Sequence, residues 1–206
     1  MNVNIFKNRY DLEPYTTPLE KVIEMIRTSP VLEEYTIEAR SFLASKQFES
    51  YLEIKSVRLP VFAPAGILNG GKKKKCLIGL TGICLLEINH LWPRLYDSVF
   101  FKLKNSPHVL MAYRSVSGNG VHVLIPYTIE DNEPEESLMN TPEAILDTYK
   151  LIYGDISNYF KTLLGVEMLR ENCHAHSLCT ISFDAAAHVN YNAVPVTIRY
   201  EYFDAS

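Results

Sequence analysis

Hydrophobic positions in the first fifty-odd residues recur at helical spacing, and from Leu59 onward they gather into short, strand-like runs. Residues 2–8 alternate weakly and predict a short strand. Thr17-Pro18-Leu19-Glu20 predicts a helix start: a capping hydroxyl, a proline at the first helical position and a glutamate closing a capping box. Val22, Ile23 and Ile26 form its buried stripe, and Ser29-Pro30 ends this helix and opens the next. That second helix carries Leu32, Tyr35, Ala39, Phe42 and Leu43, and a further helical pattern runs to about Ile54.

Beyond Leu59 the texture is that of strands. Leu59–Leu68 reads as a strand interrupted by Pro64 and Gly66, followed by a tight turn at Asn69-Gly70-Gly71. Lys75–Asn89 contains Ile83-Cys84-Leu85-Leu86, a run suited to a strand buried on both faces. Leu91–Lys104 predicts a helix, with Leu95, Val99 and Leu103 four residues apart. Val109–Ser115 and Val121–Tyr127 predict two strands around a Ser117-Gly118-Asn119-Gly120 turn. Glu130–Glu136 reads as an acidic loop, and Thr141-Pro142 opens a long helix that ends at Gly165. Leu178–Asp184 and Pro195–Phe203 are the last predicted strands. From Lys75 to Asp184 the order is β-α-β-β-α-β. This is the α+β, split βαβ (ferredoxin- or RRM-like) arrangement, an antiparallel-centred sheet with two helices on one face. The chain therefore reads as one domain over residues 1–206. Residues 1–57 are a mainly helical N-terminal subregion beside an α+β core at 58–206.

Composition narrows the class. Apolar residues make up 47% and charged residues 21% of 206, ordinary globular usage that excludes disordered and fibrous chains. No apolar run approaches the ~20 residues of a membrane helix, so no membrane partner is expected. Met1–Lys7 lacks the apolar core of a secretory signal, and Cys76, Cys84, Cys173 and Cys179 form no CxxC pair. Together these predict a cytoplasmic protein with free thiols. The net charge of −4 is unevenly spread. Residues 1–105 hold 15 Lys+Arg against 11 Asp+Glu, and residues 106–206 hold 5 against 13, so a polyanion would meet the first half, with local and modest affinity. Oligomeric state is not encoded in these patterns.

Four segments carry candidate chemistry. Glu87-Ile88-Asn89 ends the most apolar strand. Residues two apart point the same way, so Glu87 and Asn89 face one site while Ile88 enters the core. Ser117-Gly118-Asn119-Gly120-Val121-His122 combines glycines that let a loop present N–H groups to phosphate with a histidine able to donate to a phosphate oxygen. A plain hairpin with a surface histidine is the alternative. Cys173-His174-Ala175-His176-Ser177-Leu178-Cys179 fits no zinc-finger spacing and reads as a strand edge with free thiols. Gly66–Lys73 matches G-x4-G-K but lacks the Ser or Thr that a P-loop needs for magnesium. Lys72-Lys73-Lys74-Lys75 reads as a solvated hairpin tip, with nucleic-acid backbone contact as the other use.

Taken in order, these elements resemble the archaeo-eukaryotic primase (primase-polymerase) superfamily, and more narrowly the bacteroidete primase-like domain that precedes VirE-type ATPase domains. The resemblance spans roughly residues 50–196. It is carried by Leu59-Pro60, Pro64-Ala65-Gly66, Thr81-Gly82-Ile83, Glu87-Ile88-Asn89, Ser115–His122, Ser182-Phe183-Asp184 and Asn192-Ala193. It implies that Glu87 and Asn89 occupy the acid-x-acid motif, Asp184 the third acid and His122 the position that meets nucleotide phosphates. Ser117, Gly118, Asn119 and Gly120 would line the phosphate site. It also implies divalent metal at Glu87 and Asp184. Three departures stand out: Glu87 for Asp, Asn89 for the second Asp, and Ser177 where the family has an arginine. Two-metal catalysis needs bridging carboxylates to hold cations ~3.5–4 Å apart, and an amide supplies no charge to that bridge. The expectation is a catalytically degenerate primase-like module. It would bind nucleotide or nucleic acid during replication of a mobile element, with at most one Mg2+ or Mn2+ and an ATPase or helicase as partner. An active metal-dependent nucleotidyltransferase and a protein-interaction domain are the alternatives.

Overall fold

The structure is a computed structural model that describes residues 1–130, 141–169 and 173–199. Strands β1 (Asn2–Phe6) and β2 (Tyr15–Pro18) lead into helices α1 (Leu19–Thr28), α2 (Pro30–Ala44) and α3 (Phe48–Glu53), and a π-helical turn, Ile54–Arg58, follows. Next come β3 (Val61–Ala63), β4 (Gly66–Leu68), β5 (Leu77–Leu80), β6 (Ile83–Ile88), α4 (Pro93–Lys104), β7 (Met111–Arg114) and β8 (Val121–Glu130). The chain continues through α5 (Pro142–Leu164), β9 (Cys179–Thr180), β10 (His188–Val189) and β11 (Val196–Arg199). The protein is α+β with antiparallel sheets at its centre.

The split βαβ is present. β6 and β7, joined through α4, both pair antiparallel with β8, which lies between them. The last four residues of β8 pair in parallel with β11, and β10 adds to β7. Alternate residues of this sheet feed two cores. Cys84, Leu86, Ile88, Val123 and Ile125 pack against α4 and α5. Ile83, Leu85, Met111, Tyr113 and Leu124 pack against the N-terminal layer, including Val22, Ile26, Leu32 and Phe62. The N-terminal region thus covers the second face of the sheet. Its strands β1 and β2 join β3 and β9 in a second, four-stranded sheet ordered β2-β1-β3-β9.

Several local expectations need correction. Thr17 lies in β2 and Pro18 is the N-cap of α1, so no side chain caps that helix; the extended backbone of the strand runs straight into it. The cap at Ser29 does form, its Oγ accepting from Leu32 N, and Thr141 Oγ1 accepts from Ala144 N at the start of α5. Gly165, at φ 74°, closes α5. On α4 the inward stripe is Tyr96, Val99 and Leu103, with Leu95 36% exposed. Within Leu178–Asp184 only Cys179–Thr180 is strand, and it pairs with β3 in the N-terminal sheet. It does not supply the fourth strand of the ferredoxin order. The acidic loop from residue 131 and the end of the predicted last strand, from residue 200, lie outside the described residues.

Among the described residues β6 has no strand partner on its outer side, and other groups meet its backbone there. Leu85 N–H donates to the Tyr149 hydroxyl (3.3 Å), and Glu87 O accepts from Leu169 N (2.9 Å). Tyr149 is fully buried on α5. Replacing it by Phe keeps the ring but strands the Leu85 donor, a cost of about 1–3 kcal/mol. Chemical denaturation of Tyr149→Phe is expected to show a loss of that size with an unchanged m-value.

Candidate functional site

The β6–β8 register places Glu87 directly opposite His122, and β7 places Tyr113 on the other side of the same histidine. All three side chains share the face covered by the N-terminal layer, because they keep the parity of Leu85, Leu124 and Met111. His122 is only 6% exposed, so it is a buried group and not a surface histidine of a plain hairpin. Its Nε2 is 3.8 Å from Glu87 Oε1. Its Nδ1 is 2.6 Å from Cys179 Sγ and 3.2 Å from the Tyr113 hydroxyl, which is itself 3.0 Å from Cys179 Sγ. Burial lowers the His122 pKa, opposed by the neighbouring Glu87 carboxylate, and so favours the neutral ring. Burial, then Glu87, raises the Cys179 thiol well above its ordinary value.

A cleft of about 330 Å3 opens beside this cluster, and Glu87, Asn89, Ser117 and His122 all line it. The four positions singled out from two distant segments therefore meet. The hairpin reaches Asn89 because Gly120 has no side chain: a Cβ there would lie 2.7 Å from Ile88 O and 2.8 Å from Asn89 Oδ1. Gly118 sits at φ 80°, and Ser117 Oγ donates to Asn119 Oδ1 (2.6 Å), which closes the turn. Arg40 of α2 fixes the loop from behind by donating to Ser115 O (3.1 Å) and Val116 O (3.3 Å).

Sequence reasoning missed the cations of this cleft. Arg9 comes from the β1–β2 connection and Lys55 from the π-helical turn, and both line it. Arg9 N donates to Ser56 O (3.0 Å), joining the two segments. Lys72 donates to the carbonyls of Arg9 and Asp11, so this lysine braces the Arg9 loop. Lys74 pairs with Glu143 at 3.1 Å. Two of the four clustered lysines are thus engaged within the chain, and Lys73 and Lys75 are exposed. Nothing local marks Arg9 or Lys55 as special; only the docking of the N-terminal layer brings them here.

Asp184 is not brought to this cleft. Its Oδ2 accepts from Arg114 N (2.7 Å) and its Oδ1 from Ala186 N (3.1 Å), while its own N–H donates to Ile26 O (2.8 Å). It lines a second, shallower cleft with Arg40, Tyr96, Phe100, Arg114 and Phe183. There the Arg114 guanidinium sits 4.2 Å over the Tyr96 ring, and Tyr96 stacks on Phe100 at 5.6 Å and 12°. This aromatic and cationic face, on the far side of the Arg114–Val116 segment, was invisible as a platform in sequence. Metal at Glu87 together with Asp184 is not supported by this placement. The first cleft offers one carboxylate and one amide, and that donor set does not fit two hard cations.

The family model described as BT4734-like, N-terminal domain, matches residues 54–188. The chain belongs to the BT4734-like N-terminal domain family. No curated protein and no solved structure matches it. The BT4734-like match contains Glu87, Asn89, the Ser117–His122 hairpin, Lys55 and Cys179, whereas Arg9 lies outside it. No described helix of this BT4734-like chain is long and apolar enough to cross a membrane.

Thiol reactivity tests the burial of the cluster. Cys84 and Cys179 are fully buried, with Cys84 pushed up to about 12 by burial, while Cys76 and Cys173 are half-buried. A thiolate-selective aromatic disulfide is expected to modify two cysteines quickly in the native protein and the other two only at the rate of unfolding. Rapid modification of Cys179 would contradict the packing described.

Proposed function

We propose that this BT4734-like domain is a primase-like module that binds the phosphates of a nucleotide without efficient nucleotidyl transfer. The observation that supports this reading is the convergence of Glu87, Asn89, Ser117 and His122 on one cleft that also holds Arg9 and Lys55. Two cations and a cluster of hydroxyls suit a triphosphate. Arg9 and Lys55 stand in for the charge missing at Ser177, which lines the same cleft. The single carboxylate argues against two-metal synthesis, because the developing charge on attacking and leaving oxygens then has one metal site at most.

Titration with a nucleoside triphosphate, followed by NMR at His122 and by calorimetry, tests the reading. Saturable binding is expected, with Lys55→Ala and Arg9→Ala each weakening it about tenfold, which corresponds to 1.4 kcal/mol. Templated extension with magnesium or manganese is expected to be absent. An unperturbed His122 at millimolar nucleotide would overturn the proposal.

The same reading gives the second cleft a role as a path for single-stranded nucleic acid, supported by two arginines beside stacked rings next to the hairpin. Phe100→Ala and Arg114→Ala are expected to weaken oligonucleotide binding by about 1–3 kcal/mol each in a salt-controlled fluorescence assay. Lys73→Ala and Lys75→Ala are expected to change it little. The opposite ranking would move the nucleic-acid surface to the lysine tip.

A further inference from the structure

Glu87, His122 and Cys179 each offer one ligand atom, and these atoms lie within 4.8 Å of one another. Among the described residues this is the one group of three His, Cys, Asp or Glu side chains placed this way. The donors are a carboxylate oxygen, an imidazole nitrogen and a thiol sulfur. Hard magnesium favours oxygen, whereas this mixture suits a borderline ion such as zinc or cobalt.

We propose that Glu87, His122 and Cys179 form a binding site for one borderline divalent transition-metal ion, with its fourth coordination position open to the cleft. Three features favour it. First, charge closes: a dication with one thiolate, one carboxylate and a neutral imidazole makes a site of zero net charge, which suits a location this buried. Binding releases the Cys179 thiol proton to solvent as the sulfur–metal bond forms. Second, two of the ligands are already set by backbone register. Glu87 and His122 are direct partners across β6 and β8, and Nε2 and Oε1 at 3.8 Å are near the separation of about 3.4 Å expected for tetrahedral ligands at ordinary bond lengths. Third, the outer shell is present. With Nε2 on the metal, Nδ1–H donates to the Tyr113 hydroxyl, 3.2 Å away, the kind of contact that fixes a ligating histidine. Cys179 Sγ sits 2.6 Å from Nδ1 while Glu87 faces Nε2, so Cys179 must leave that contact and swing to the Nε2 edge of the ring to reach the ion. The ion would then tie β9 of the N-terminal sheet to β6 and β8 of the central sheet. Lys55, across the cleft, opposes a cation and tempers affinity without blocking the ligand atoms.

The metal site does not require nucleotide to form, so its test uses metal alone. The purified, metal-stripped full chain is titrated with cobalt(II) in the absence of nucleotide. The expected result is a thiolate-to-cobalt charge-transfer band saturating at one ion per chain, with a matching rise in thermal midpoint under zinc. Cys179→Ser should abolish the band and Cys84→Ser should leave it. Glu87→Gln should weaken cobalt affinity at least tenfold. Circular dichroism of each variant separates loss of ligand from loss of fold, and wild-type zinc stabilisation gives a readout that needs no variant. Absence of the band, its survival in Cys179→Ser, or displacement of cobalt by equimolar magnesium would overturn the metal site and leave the nucleotide reading standing.

Discussion

The register between β6 and β8 is the constraint on which the rest depends. Because side chains alternate, pairing Glu87 with His122 also sends Leu86 and Val123 to the α4–α5 core, and Leu85 and Leu124 to the N-terminal core. A slip of one residue would bury a carboxylate among α5 side chains and expose leucines to the wrong layer. Hydrophobic burial on both faces therefore holds the polar cluster in place. The site inherits its precision from packing that has nothing to do with chemistry, and the outer edge of β6 is sealed by Tyr149 and Leu169 so that the strand cannot drift.

That arrangement carries an electrostatic cost which the surroundings only partly offset. A phenol, an imidazole and a thiol crowd together beside the Glu87 carboxylate, and burial disfavours the charged forms of those three. Burial keeps the first three neutral, and Glu87 reaches the cleft, where Lys55 and Arg9 stand. An anionic ligand would use those two cations, and a dication would use the buried donors. Glu87 and His122 line the same cleft as Arg9 and Lys55, so a charge bound at either set would be felt at the other.

Much of the secondary structure was legible because it rests on local signals: Ser29-Pro30, Thr141-Pro142, Gly165 and the Ser117–Gly120 turn each work within a few residues. The convergence of Glu87, Asn89 and His122 was legible too, since strand parity and a tight hairpin determine it. What escaped was set by long-range docking. Arg9 and Lys55 arrive with the N-terminal layer, and Cys179 arrives on a two-residue strand that joins β3, where the split βαβ pattern called for a partner of β6. Asp184 looked like a strand-end acid, yet its carboxylate accepts from the backbone N–H of Arg114 at the end of β7 and of Ala186 in its own turn. No spacing rule separates those two uses of an aspartate.

The placement of Asp184 also bears on what the fold can do. A two-metal centre requires negative charge from separate strand ends to converge, since one carboxylate cannot restrain two dications against their mutual repulsion. Here Asn89 offers an amide beside Glu87, and the Asp184 carboxylate lies behind the Arg114–Val116 segment, beside two arginines. Replacing Asn89 by Asp would supply charge at one point but would not bring Asp184 around that segment, whose carbonyls Arg40 holds from α2. On the proposed primase-like reading, the barrier to two-metal synthesis lies in the backbone path as well as in side-chain identity. On that same proposal, the Ser117–His122 hairpin with Arg9 and Lys55 would suit the cleft to holding phosphate.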